Sequence, residues 1–443
     1  MTAARNIINK WVNGMTIDKG IRVRDTDRGM KRSRSSKRRK VSEFEIRSSN
    51  QKECGGILFF ERKGKLLGID LGKQESLRWD LKDPSSASPS PQPLPLSCTA
   101  DTPFPRGMRP FKIDGKTYLA GGFKTRPTRP YHNRVYEFHF DGSRPVLNSA
   151  PSLNLPKFPI LANLRGTIYA LYYWEGPLKR MCIPHPDQYD FLFEQYDPVN
   201  KSWTQAPRPP FYVQFFDNLR QGSQGSSLDS RVCPVYRSFV VDDKFFIVYM
   251  DPSSSQFLLY CFSSSLKKWQ KLPTHRYPVG LGRFRYFWYP SASCSELWLS
   301  EYGLSLALEI RYRPFLYDNS YVFFQAIAII YSQGGNAPGV PREKQLLDEV
   351  FSGMFPGFRD PDCSVDATPH FLDLGKMDDQ TKRICAVVSA YNCRQTYLFI
   401  SIFDVQMGDP RPPNLLNVSV VKKLVYKLGD EEEFSKLYTV FVV

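Results

Sequence analysis

An all-β fold assembled from a repeated unit is what this sequence predicts, and three observations predict it. Beyond residue 53 the chain is a succession of short aromatic and β-branched runs separated by Gly, Pro, Asp and Ser clusters. Examples are GGILFF (55–60), TYLAGGF (117–123), VYEFHF (135–140), TIYALYYW (167–174), FFIVYM (245–250), FLLYCF (257–262) and TYLFISIFDV (396–405). Runs of this length and composition are strands. Second, two stretches register on each other without a gap, FEQYDPVNKSW (193–203) and LYCFSSSLKKW (259–269). Third, only REKQLLDEVFSGMF (342–355) spaces Leu346, Leu347, Val350, Phe351 and Met354 as a helix face would. One helix is therefore expected, within an insertion near 332–370.

The register defines a repeat. Tyr196 matches Phe262, Lys201 matches Lys267, Trp203 matches Trp269, and Pro207 matches Pro273. Trp79 marks a looser copy, LLGIDLGKQESLRW. The Trp spacings are 66 and 124 residues, the second being twice 62, so one copy between Trp79 and Trp203 lacks its Trp. VYEFHFDGSRPVLNSAPSLNLP (135–156) supplies that copy, with Leu147 or Leu153 in place of the aromatic. Upstream of each marker a tight turn feeds an apolar strand, at Asp114-Gly115, Arg165-Gly166 and Asp243-Lys244, and the first of these strands ends in Gly121-Gly122.

This unit resembles the kelch repeat of β-propellers, in its diglycine strand, its Tyr196-Asp197 pair and its spaced Trp. The resemblance covers residues 54 to about 274 and reaches 275–443 only by extension. It implies a β-propeller of four-stranded blades, and a period of 62 to 66 over the 390 residues after position 53 makes about six of them, with seven as the alternative. A lone blade buries little. It stacks on its neighbours through large flat side chains, the role expected of Trp79, Tyr196, Trp203 and Trp269, while Asp197 caps a turn. Circular closure removes exposed edges, and the apolar KLYTVFVV (436–443) is expected to close the ring against the first blade.

Ahead of the propeller, residues 1–53 form a separate basic segment. Residues 1–52 hold 15 Lys/Arg against 5 Asp/Glu in a chain whose net charge is +16. KRSRSSKRRK (31–40) carries Lys31, Arg32, Arg34, Lys37, Arg38, Arg39 and Lys40. Such a cluster repels itself and buries no apolar area, so it is expected to be disordered. Its functional reading is a nuclear localisation signal for an importin-type receptor. Contact with nucleic-acid phosphates is a second reading, and a solvated tail without a receptor is a third.

The remaining chemistry points away from catalysis. Nine Cys without a C-x-x-C pair match the thiol usage of a reducing compartment. The N-terminus lacks the apolar core of a signal peptide, and no run approaches the ~18 apolar residues of a membrane span. The protein is expected to be nuclear, with the cytoplasm left open as a second location. No G-x-S-x-G, H-E-x-x-H, P-loop or G-x-G-x-x-G is present. Kelch propellers include copper oxidases similar to galactose oxidase, which need two His and two Tyr ligands. Here His132, His139, His185, His275 and His370 are dispersed. Asp360, Asp362, Asp378 and Asp379 suit turns better than a cation. No catalytic residue, metal or cofactor is expected.

Recognition is what the loops suggest. FKTRPTRPYHNR (123–134), WEGPLKRMCIPHPDQYD (174–190) and NLRQGSQGSSLDSR (218–231) are long and distinctive. Arg126, Arg129, Tyr131 and Arg134 in the first, with Lys179 and Arg180 in the second, have the composition of an interface that favours an acidic protein partner. Ordinary solvated loops would look the same. The kelch resemblance implies an adaptor, often for ubiquitin ligases when an F-box or BTB domain precedes the propeller. The first 53 residues have the apolar helical content of neither.

Overall fold

The computed structural model describes residues 56–62, 65–72, 92–93, 106–122, 132–141, 144–173, 185–212, 216, 235–251, 256–273, 295–313, 321–331, 341–347, 350, 366–391, 396–407, 416–429, 437 and 439–443. Every described residue belongs to the unit Lys52–Val443. The basic cluster from Lys31 to Lys40, together with Trp79, Arg126, Arg129, Tyr131, Lys179 and Arg180, lies outside the described residues.

The described strands fall into six sheets. Blade 1 contains β1 (Ile57–Arg62) and β2 (Lys65–Asp70), and β3 (Gln92–Pro93) follows them in the chain. Blade 2 is β4 (Arg109–Ile113), β5 (Lys116–Ala120), β6 (Val135–Asp141) and β7 (Arg144–Ala150). Blade 3 is β8 (Ile160–Leu164), β9 (Thr167–Leu171), β10 (Phe193–Asp197) and β11 (Ser202–Gln205). Blade 4 is β12 (Val235–Val241), β13 (Lys244–Asp251), β14 (Gln256–Ser263) and β15 (Lys268–Leu272). Blade 5 is β16 (Ser295–Leu299), β17 (Leu304–Arg313), β18 (Tyr321–Tyr331) and β19 (Pro341–Leu346). Blade 6 is β20 (Asp366–Lys376), β21 (Thr381–Tyr391), β22 (Thr396–Met407) and β23 (Leu416–Gly429), and the chain ends on β24 (Val440–Val442).

Two observations make these sheets a closed ring. The first strands of successive blades touch in order, β4 with β8, β8 with β12, β12 with β16 and β16 with β20. The circuit is completed by β24, which touches both β20 and β4 and pairs antiparallel with β1. The C-terminal strand is thus the innermost strand of the first blade, as the apolar KLYTVFVV suggested. Six hydrophobic clusters fill the ring, and each draws its side chains from two consecutive blades. The fold is a six-bladed β-propeller.

The junctions differ in chemistry. Phe59 of blade 1 meets Phe138 of blade 2 with centroids 4.9 Å apart. Phe111 of blade 2 meets Trp203 of blade 3 edge-on at 5.9 Å, and Phe193 of blade 3 meets Trp269 of blade 4 at 5.2 Å. Phe239 of blade 4 stacks on Tyr331 of blade 5 at 5.0 Å. Blades 5 and 6 join instead through aliphatic residues such as Leu306, Leu308, Ile384 and Val388. Leu58 and Ile69 meet Val387 and Ile400 where blade 6 returns to blade 1. Each fully buried side chain of this kind contributes ~1.5–3 kcal/mol.

The repeat has a hydrogen-bond logic. Tyr196 faces Trp203 across β10 and β11, and Phe262 faces Trp269 across β14 and β15. The indole N–H of Trp203 donates to the Pro151 carbonyl at 3.0 Å, and that of Trp269 donates to the Pro207 carbonyl at 2.8 Å. Each acceptor lies just beyond the last strand of the preceding blade. The Pro that recurs four residues after Trp therefore marks where the next blade's Trp docks. In blade 2 the aromatic's place is taken by Leu147, which pairs with Phe138 and packs toward blade 1. Leu153 packs in the Trp203 cluster instead.

The helix expected at 342–355 is overturned at its start. Pro341–Leu346 is the outer strand of blade 5, paired antiparallel with β18. Leu347 and Val350 are buried while Leu346 is exposed, so edge pairing overrode the helical spacing.

Candidate partner-binding face

Blade topology sorts the connections by face. Four strands is an even number, so the chain leaves each blade on the side where it entered. The connections β5–β6, β9–β10, β11–β12 and β15–β16 therefore share one face, and so do those from β19 to β20 and from β23 to β24. The strand ends that carry 123–134, 174–190 and 218–231 all lie on this face. The opposite face carries tight turns built on left-handed residues: Asp114 (φ 49°), Arg165 (φ 53°) and Asp242 (φ 55°) after first strands, Lys201 (φ 47°) and Lys267 (φ 49°) after third strands. Asp197 caps one of them, its carboxylate accepting from the Val199 N–H at 2.9 Å and the Asn200 side-chain N–H at 2.6 Å. These bonds hold the Asp197 carboxyl below the usual carboxylate range. Tyr196, Trp203 and Trp269 are buried between strands and blades, and Asp197 caps a turn on the face opposite the long loops.

The described foot of the Arg-rich loop is tightly held. Gly121 and Gly122 adopt φ of +67° and +97°. A Cβ at Gly121 would sit 2.4 Å from the Lys157 carbonyl oxygen, and one at Gly122 would sit 2.5 Å from that of Arg106. No other residue type fits that approach. Beyond the pair, the His132 N–H donates to the Gly122 carbonyl at 2.8 Å, and the Lys157 N–H donates to the His132 carbonyl at 3.1 Å. Arg134 is exposed, with its guanidinium on the Tyr136 hydroxyl at 3.2 Å. The diglycine therefore seats one loop of the face against the 151–159 link. Arg208 pairs with Asp190 and ties together two further connections of the same face.

Beneath that link lies a polar core that the sequence reading missed. Lys157 and Glu194 form an ion pair with both side chains fully buried. Glu194 also accepts from the Asn154 backbone and side-chain N–H groups at 2.9 and 2.8 Å, and Lys157 donates to the Phe191 carbonyl at 2.8 Å. Burial pulls the Lys157 pKa down, with Glu194 opposing. One signal was available: Lys157 is the only charged residue between Arg144 and Arg165.

Among the described residues the histidines join no metal-holding group. His370 stands part-buried on the inner strand β20, where its Nε2–H donates to the Leu437 carbonyl at 2.8 Å. Burial, with the Arg109 charge nearby, pushes its pKa down to about 4. An unfolded His titrates near ~6.5, so between these values the unfolded chain holds a proton that the folded one does not. Stability should fall by about 3 kcal/mol as pH drops from 6.5 to 4. His370→Gln should flatten denaturation midpoints across that window; an unchanged slope would assign the pH dependence elsewhere. Asp378 accepts from the Gln380 and Thr381 N–H groups at 2.8 and 2.7 Å, the turn role expected of it. Among the described residues no group of three His, Cys, Asp or Glu could hold a metal ion.

No protein-family model matches the chain, and no curated protein matches it. Among solved structures it is similar to the N-terminal domain of Nup159, with 11% identity and a TM-score of 0.32 over 84% of this chain and 86% of that one. It is also similar to YjhT, with 10% identity and a TM-score of 0.34 over 72% of this chain and 86% of that one. The six-bladed ring itself rests on this chain's own sheets.

Proposed function

We propose that this chain is a kelch-like, non-catalytic module that recruits a protein partner through its long-loop face. The observation that carries this reading is the sorting of connections, which brings the Arg-rich loop to the same face as the loops 174–190 and 218–231. Charge divides that face. Residues 123–134 hold four Lys/Arg and no Asp/Glu, and 273–294 hold three Arg and no Asp/Glu. Residues 347–365 and 430–439 each hold four Asp/Glu and one Lys/Arg. A partner with an acidic patch over blades 2 to 4 and a basic one over blade 6 complements this pattern and is selected against mispairing.

The test is charge reversal at Arg126, Arg129 and Arg134, all to Glu. Quantitative affinity purification should show loss of the chain's associated proteins, while stability stays within about 0.5 kcal/mol of the parent. An unchanged set of associated proteins would sink the reading. Salt-dependent retention on RNA that vanishes on deleting residues 1–53 would favour nucleic-acid binding instead.

The tail supports a nuclear site of action, with Lys31 to Lys40 read by an importin-type receptor. Residues 1–53 fused to a fluorescent protein should accumulate in nuclei, and Lys37, Arg38, Arg39 and Lys40 changed to Ala should abolish it. Equal nuclear and cytoplasmic signal from the unaltered fusion would remove the import role.

A further inference from the structure

Blade 6 carries a fifth strand, β3, which lies parallel to β23 with Gln92 opposite Tyr426 and Pro93 opposite Lys427. Every other strand pair described is antiparallel. The surrounding sequence, SPSPQPLP, has Pro at 89, 91, 93 and 95. In an extended chain successive N–H groups point to opposite sides, and Pro has none. Alternating Pro would therefore strip every donor from one side of any extended chain of this sequence, and in the described pair Gln92 has an N–H while Pro93 has none.

We propose that the outer edge of blade 6, at Tyr426–Lys427, is a docking site for extended segments in which Pro alternates with other residues, and that Gln92–Pro93 is its resident occupant. Such a segment bonds the edge with one side and offers no donors to a further strand, which is why Pro is tolerated at sheet edges alone. The fixed φ of each Pro lowers the entropy lost on docking, so a short ladder suffices. β23 spans 14 residues and is the last antiparallel strand of blade 6, so its outer edge is where a further strand can add. This site is on the rim of the ring and is independent of the loop face.

The test uses the full chain. Gln92→Pro removes the donor of the described pair. Hydrogen exchange at residues 425–428 should then accelerate by about tenfold or more while β21 stays protected. A labelled synthetic peptide of residues 86–97 should bind the variant and not the parent, whose site is filled. Replacing 88–95 with Gly/Ser of equal length provides a second opened chain should the first misfold. Unchanged exchange, or a peptide that binds both chains equally or neither, would overturn the proposal. Concentration-dependent dimers of the parent that dissociate in Gln92→Pro would overturn it too, assigning the strand to a second copy.

Discussion

Replacing Trp203 with Ala will lower the unfolding free energy by about 3–5 kcal/mol, because the void it leaves lies between two blades that cannot close on it. Trp203 is 5% exposed, and its ring stands 5.3 Å from Tyr196 in its own blade and 5.9 Å from Phe111 in the preceding one. The change also orphans the Pro151 carbonyl, which accepts the indole N–H. Trp203→Phe separates the two effects. It refills most of the volume, loses the donor, and should cost only about 1–3 kcal/mol. Urea denaturation of the three chains measures both. If Trp203→Ala sits within 1 kcal/mol of the parent (about fivefold or less in the folding equilibrium), the side chain is exposed and the repeat has been misread. Trp269, 8% exposed and bonded to the Pro207 carbonyl, should behave alike.

That the same residue served as a ruler in the sequence follows from what it does. Blades 3 and 4 each dock through one Trp and one Pro carbonyl, so two spaced residue types record the period. Blades 5 and 6 join through Leu, Ile, Val and Ala on strands of ten to fourteen residues, and that chemistry leaves no rare residue type to count. The ring was legible where packing needs an indole and silent where interdigitated aliphatics suffice. Helical spacing at Leu346, Leu347 and Val350 misled for the same reason, since a short edge strand and the turn after it can place apolar residues three apart.

The face was legible in part. Long, Arg-rich loops were visible, and an even strand count then placed their strand ends on one side. What supports them was less visible. Gly121-Gly122 could be picked out because only Gly fits a left-handed backbone against another chain segment. Lys157 and Glu194 could not be paired, because the link from β7 and the strand β10 meet only once the blades are packed.

That pair gives the second large effect. Lys157→Met should cost about 3–5 kcal/mol, since it leaves the Glu194 carboxylate buried without its counter-charge. Glu194→Gln added to it should recover most of the loss. The Gln side-chain carbonyl still accepts from Asn154, whose two donors lie at 2.9 and 2.8 Å, and no charge remains to be neutralised. A double-mutant cycle should therefore show coupling of about 2 kcal/mol or more; additive losses would mean that the two side chains do not compensate each other in the folded chain. The consequence reaches the loop face, because the Lys157 backbone N–H holds His132 at the foot of the Arg-rich loop. Hydrogen exchange at 132–134 should rise in Lys157→Met and return toward the parent in the double variant. Partner capture should follow the same order if the loop binds in a held conformation. Charge reversal at Arg126, Arg129 and Arg134 should remove capture while exchange at 132 and 133 stays as in the parent, which separates holding the loop from what the loop touches.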